Sequence, residues 1–165
     1  MTLAEAAIEA DALAEKGDER ALSQLRSQWE EEVEHAARSQ DFRERAVAYR
    51  AIAQFRYRQK IELLRRGLED ESPACRGSSL LALEHLSRDH PGVVNGVRPL
   101  LHELAARDGN EAVRRLAVMS LKNGSSDRAT IQLLEGLGGD DEQARELREA
   151  AAKVAQALRR KSTSR

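Results

Sequence analysis

The chain has 165 residues, 33% of them charged, 41% hydrophobic and only 3% aromatic, with a formal net charge of −1. Alanine and leucine outnumber valine, isoleucine and threonine about threefold, which points to helices and excludes a β-sandwich or barrel. Near-zero net charge gives no global field toward nucleic acid or membranes, and one cysteine, Cys75, allows no internal disulfide.

In chain order, Leu3 to Lys16 reads as a first helix, stopped by Gly17, and Asp18 can cap a second. That second helix carries Leu22, Leu25, Trp29 and Val33 on one stripe. Residues 1–40 are expected to form a divergent N-terminal capping hairpin. From residue 41 a pattern recurs: arginine, two residues, a small residue, two residues, then another small or aliphatic residue. It appears as Arg45/Ala48/Ala51, Arg76/Ser79/Ala82 and Arg114/Ala117/Ser120, with a weaker copy at Arg148/Ala151/Val154. The arginines lie 31, 38 and 34 residues apart.

Each of the first three copies is followed by a second amphipathic segment: Ile61/Leu64/Leu68, Val97/Leu100/Leu104 and Ile131/Leu134/Leu137. An acid closes each one, Asp70, Asp108 or Asp140. The unit is helix, turn, helix, short acidic loop, and stacking such units buries the apolar face that one hairpin leaves open. Repeats are expected over 41–70, 71–108 and 109–140, with a C-terminal capping helix over 141–160 and a disordered tail at 161–165. The fold expected is all-α, an α-α superhelix (solenoid) of stacked hairpins with about nine helices. Pro73 and Pro91 fall near helix starts, and Pro99 is expected to kink its helix.

The arginine and small residues of the first helix, Pro99 before Leu100, and the closing aspartates resemble the HEAT repeat, in the short form also found in phycobilin lyases. The resemblance covers about residues 41–158 and implies fold rather than chemistry. Deoxyhypusine hydroxylases are similar in fold but hold iron through four His-Glu dipeptides. Here only His102-Glu103 occurs in that order, so no metal or other cofactor is expected.

No catalytic constellation is read. Glu31 and His35 share a helical face but lack a matching second pair. Cys75 sits at an apolar repeat position, and Ser78-Ser79 and Ser125-Ser126 have no triad context. The repeat arginines are expected to pair with loop acids inside the stack. Charge is segregated: residues 1–41 hold eleven acids and four bases, residues 42–66 two acids and eight bases. All five aromatics, Trp29, Phe42, Tyr49, Phe55 and Tyr57, fall in this stretch. Either the two charged segments neutralise each other, or the basic one is a binding surface, with Tyr57 and its basic neighbours exposed in a turn.

The expected function is a non-catalytic scaffold or adaptor that binds a partner protein on the faces of the second helices. Candidate contact residues are Tyr57, Arg58, Lys60, Arg65, Arg66, Arg98, His102, Arg128 and Gln132, with Glu135 beside them. The alternative is nucleic-acid binding through residues 42–66. A bilin-lyase-like enzyme or chromophore chaperone ranks below both. With no basic-then-apolar leader and no apolar run of membrane-spanning length, a cytoplasmic protein without membrane contact is expected, either monomer or homodimer.

Overall fold

The computed structural model describes residues 1–163, which contain ten α-helices, one 3-10 turn and no strand. No helix among the described residues is long and apolar enough to cross a membrane. The chain divides into two compact units, residues 1–86 and the residues from Ser87 onward.

The first unit begins with α1 (Leu3–Lys16) and α2 (Glu19–Ala37). Thr2 and Glu5 form a reciprocal capping box at the start of α1, at 3.2 and 2.7 Å. Gly17 ends the helix at φ 77°, a left-handed conformation that glycine adopts without a Cβ penalty. Asp18 then caps α2 by accepting from the Ala21 N–H. Leu22, Leu25, Trp29 and Val33 are all buried, as their spacing predicts. Next come α3 (Phe42–Gln54), a 3-10 turn at Arg58–Lys60, α4 (Ile61–Leu68) and α5 (Pro73–Ser87).

Helices α1, α2 and α3 pack against one another, and α4 packs on α3. Small residues make this close approach possible: Ala6, Ala7 and Ala10 on α1 and Ala48 and Ala51 on α3 are fully or almost fully buried. Gly67 of α4 meets the tightest constraint. A Cβ there would lie 2.0 Å from Ser79 Oγ and 3.1 Å from Tyr49 Cδ1, so α4 has no room for a side chain between α3 and α5.

The second unit holds α6 (Gly92–Asn95), α7 (Arg98–Arg107), α8 (Glu111–Leu121), α9 (Arg128–Gly138) and α10 (Arg145–Thr163). Helix α7 packs on α8 and α9, and α10 packs on α8 and α9. The repeat positions Ala117, Ser120, Ala151 and Val154 are all buried.

Three expectations change here. The single turn α6 raises the helix number to ten among the described residues. Pro99 does not kink a helix, because it is the second residue of α7, where its absent N–H has no intrahelical acceptor to lose. The buried register is accordingly Val97, Leu101 and Leu104, while Leu100 is only half-buried. The last helix starts at Arg145 rather than 141, since Asp140 folds back to accept from the Glu142 N–H (3.0 Å) and Gln143 Nε2 (3.1 Å). It then continues through Thr163. Lys161 Nζ donates to the carbonyls of Lys122 (2.6 Å) and Gly124 (2.9 Å), anchoring the segment expected to be tail. The rest of that tail, 164–165, lies outside the described residues.

Candidate protein-binding surfaces

The repeat arginines act inside the fold. Arg45 on α3 forks onto Asp70, with Nε to Oδ2 at 2.8 Å and Nη2 to Oδ1 at 2.9 Å. Its Nη1 also donates to the carbonyls of Ser39 and Gln40, which enter α3. Side-chain exposures of 13% for Arg45 and 7% for Asp70 make this a buried pair. Burial pushes the Asp70 carboxyl up, but hydrogen bonds from Arg45 and from the Ser72 N–H outweigh it and hold the group below its ordinary value. Arg76 repeats the second half of this arrangement, donating to the carbonyls of Asp70 (2.9 Å) and Glu71 (3.2 Å). Asp70 is therefore the point where two consecutive repeat arginines meet. In the second unit Arg114 Nε donates to the Ala105 carbonyl at 2.9 Å, and Arg148 pairs with Asp141 at 3.5 Å.

Two of the sequence candidates are not on the surface. Helix α3 ends in a Schellman reversal, Arg56 N–H to Ala53 O and Tyr57 N–H to Ile52 O, which folds Tyr57 back into the core. Tyr57 is 1% exposed; its ring stacks on Phe55 at 5.1 Å and its hydroxyl donates to the Arg26 carbonyl. Lys60 is buried beside it, 5.5 Å over the Tyr57 ring, with its ammonium on Glu34 (2.7 Å) and Glu30 (3.2 Å). Burial opposes that charge, yet the two carboxylates raise the ammonium above its ordinary pKa.

Arg56 adopts φ 59° and sends Nη1 to Asp11 at 2.8 Å and Nη2 to Glu15 at 3.3 Å. The acidic first hairpin thus neutralises Arg56 and Lys60 of the basic segment. Asp11, Glu15 and His85 offer ligand atoms within 4.8 Å of one another. The Arg56 guanidinium already supplies the cation for those carboxylates, which argues for a structural ion-pair cluster rather than a metal centre.

In the second unit Arg98 is drawn into a loop clasp. Its Nη2 donates to Asn95 Oδ1 at 2.6 Å and to the Ser125 carbonyl at 3.2 Å, while Asn95 also receives the Ser125 N–H at 3.0 Å. His102 Nε2 lies 2.7 Å from Thr130 Oγ1, whose hydroxyl donates to Asp127 at 3.0 Å. A hydroxyl whose proton is on Asp127 accepts from His102, so this chain runs opposite to that of an activated nucleophile. Thr130 is also 1% exposed. Burial lowers the His102 pKa, favouring neutral imidazole.

Arg128 and Gln132 are exposed on α9 and border a shallow groove with Ile131, Arg159 and Ser162. Neither Arg159 nor Ser162 was anticipated, because the pairing of α9 with α10 brings them in from about thirty residues away. Arg159 forks onto Glu135 at 2.5 and 2.7 Å, which removes Glu135 from the free surface and lowers its pKa.

Cys75 donates to the Phe42 carbonyl at 3.2 Å, and burial pushes its thiol pKa up, which disfavours the thiolate. In the first unit Arg58, Arg65 and Arg66 stay open to solvent. All three are exposed and form no ion pair among the described residues. Arg66 faces a cleft lined by Ala37, Arg38, Tyr49, Asp70 and Glu71. The chain matches no protein-family model, and no curated protein matches it in sequence.

Proposed function

We propose that the chain is a HEAT-type helical-repeat protein that works as a non-catalytic scaffold, binding a partner protein on an exposed helical face. The observation that carries this reading is a division of labour among the charged side chains. Arg45, Arg56, Lys60, Arg76 and Arg98 are held by internal carboxylates or carbonyls. Arg65 and Arg66, one after the other on α4, face solvent without such a partner. Reactive-type groups are likewise used structurally: Cys75 is buried, His102 serves Thr130, and Asp127 caps α9. A stack of hairpins presents extended faces suited to a peptide or a partner's helix.

Nucleic-acid binding through 42–66 is weakened by the same pairing. Three of the eight bases in that segment, Arg45, Arg56 and Lys60, are spent internally. The test is affinity capture by the full chain with and without nuclease, in parallel with an R65E/R66E variant. A stoichiometric protein that survives nuclease and is lost from the variant supports the scaffold reading. Retention that disappears with nuclease overturns it.

A further inference from the structure

A second surface of the first unit differs in kind from the arginine pair on α4. Ile8 of α1, Ala46, Val47 and Arg50 of α3 and Ser78 of α5 line one groove. Ile8 is 64% exposed, and its significance lies in the apolar neighbours it shares this groove with. The apolar strip continues at both ends. Phe42 (45% exposed) precedes Ala46 by one turn of α3, and Leu81 (39% exposed) follows Ser78 by nearly one turn of α5.

Arg50 of α3 is half-buried along this groove and makes no hydrogen bond or ion pair among the described residues. Arg43, two turns earlier on the same face, is 80% exposed, with a 3.5 Å ion pair to Asp41 and its guanidinium 5.7 Å over the Phe42 ring. Seven residues at 1.5 Å rise set the two cations about 10 Å apart along the helix axis.

We infer that this groove is a docking site for an amphipathic helix that carries carboxylates beside its apolar stripe. The inference rests on the scaffold reading and gives the partner's chemistry. An apolar strip bordered by Arg50, which has no acidic partner, and by Arg43, whose carboxylate contact is the exposed 3.5 Å one to Asp41, is complementary to a helix with leucine-type residues on one face and acids seven residues apart next to them. A nucleic-acid backbone would satisfy the arginines but leave Ile8, Phe42 and Leu81 against a polar chain. Helical peptide satisfies both.

The experiment uses the full chain and two synthetic helical peptides with identical leucine faces, one with glutamates seven apart beside the leucines and one with lysines at those positions. Fluorescence anisotropy is expected to give at least about tenfold tighter binding of the acidic peptide. Arg50→Glu is expected to reverse that preference, and Ile8→Glu to weaken both peptides at least about tenfold. Lys153→Glu, a charge reversal at an exposed position of α10 outside both surfaces, should leave both affinities unchanged. Ile8 and Arg50 lie on the surface, and circular dichroism of each variant establishes that its helices are intact. Equal affinity for the two peptides overturns the inference, as does the absence of saturable binding. So does a wild-type dimer in sedimentation that Ile8→Glu dissociates, since a second copy would then cover the groove. Loss of peptide binding in R65E/R66E alone moves the site to α4, which refutes the groove and leaves the scaffold reading standing.

Discussion

Asp70→Asn isolates what the repeat arginine contributes. The substitution keeps the shape of the side chain and one oxygen able to accept from Ser72 N–H, but it takes the negative charge from a guanidinium that is 13% exposed. Arg45 keeps its bonds to the Ser39 and Gln40 carbonyls, which are neutral and do not compensate the charge. Removing one partner of a buried pair costs about 3–5 kcal/mol, and the retained oxygen places this variant at the low end, about 3 kcal/mol. An exposed pair would lose no more than about 1 kcal/mol, so the two outcomes separate cleanly. Urea unfolding followed by circular dichroism reads the difference. A loss below about 1 kcal/mol would refute the view that Arg45 and Asp70 lock the first unit's α3–α4 pair.

The pH dependence provides an independent check on the same pair. The folded Asp70 carboxyl titrates below its ordinary value, so the unfolded chain binds the proton first as acid is added. Its contribution is therefore complete above about pH 4 and is lost as pH falls through the folded value. Asp70→Asn lacks that titration. The stability curves of the two proteins should converge below about pH 4 and run parallel above it. Curves that stay parallel into strong acid would show that Asp70 is not held in its charged form.

Other substitutions test the packing. Gly67→Ala places a methyl group where Ser79 Oγ and the Tyr49 ring already stand, and should cost about 1–3 kcal/mol in the same urea assay. Adding Ser79→Ala removes the nearest atom and should recover part of that loss. Arg56→Ala should be less stable than Arg56→Gly by about 1 kcal/mol, because alanine keeps the left-handed strain and loses the guanidinium contacts, whereas glycine loses only the contacts. Tyr57→Phe removes the hydroxyl that donates to the Arg26 carbonyl and should lower stability by about 1 kcal/mol; no change would contradict the burial of the Tyr57 hydroxyl.

Much of the fold is legible because its signals are local. Thr2, Gly17, Asp18 and the stripe from Leu22 to Val33 each act within one or two turns, and the small residues after each repeat arginine are buried where their spacing puts them. The turn after α3 is not legible for a specific reason. A Schellman end normally advertises itself with glycine, and here Arg56 holds the left-handed position, so Tyr57 reads as a loop residue although it belongs to the core. Pro99 misleads in the other direction: apolar spacing starts at Val97, but the helix starts at Arg98 and leaves the proline harmless. Asp140 delays the last helix through a side-chain turn that composition does not signal.

The candidate surface is harder to read than the fold because one residue type serves both. In the sequence, Arg45, Arg50, Arg56, Arg58, Lys60, Arg65 and Arg66 form a single basic run. The fold sorts them by partners that lie far away in the chain: Asp70 takes Arg45 from 25 residues off, Asp11 takes Arg56 from 45, and Glu34 takes Lys60 from 26. Only tertiary packing determines that Arg50, Arg58, Arg65 and Arg66 are left over, and it leaves them on two different settings. On α4 the arginines stand in water, where attraction is screened over about 8–10 Å and affects encounter rates more than affinity. On α3, Arg50 stands within apolar surface that a docking helix would dry, strengthening its pairing with a carboxylate. Selectivity between acidic and basic helices should accordingly reside on α3, while salt-sensitive association rates should reside on α4.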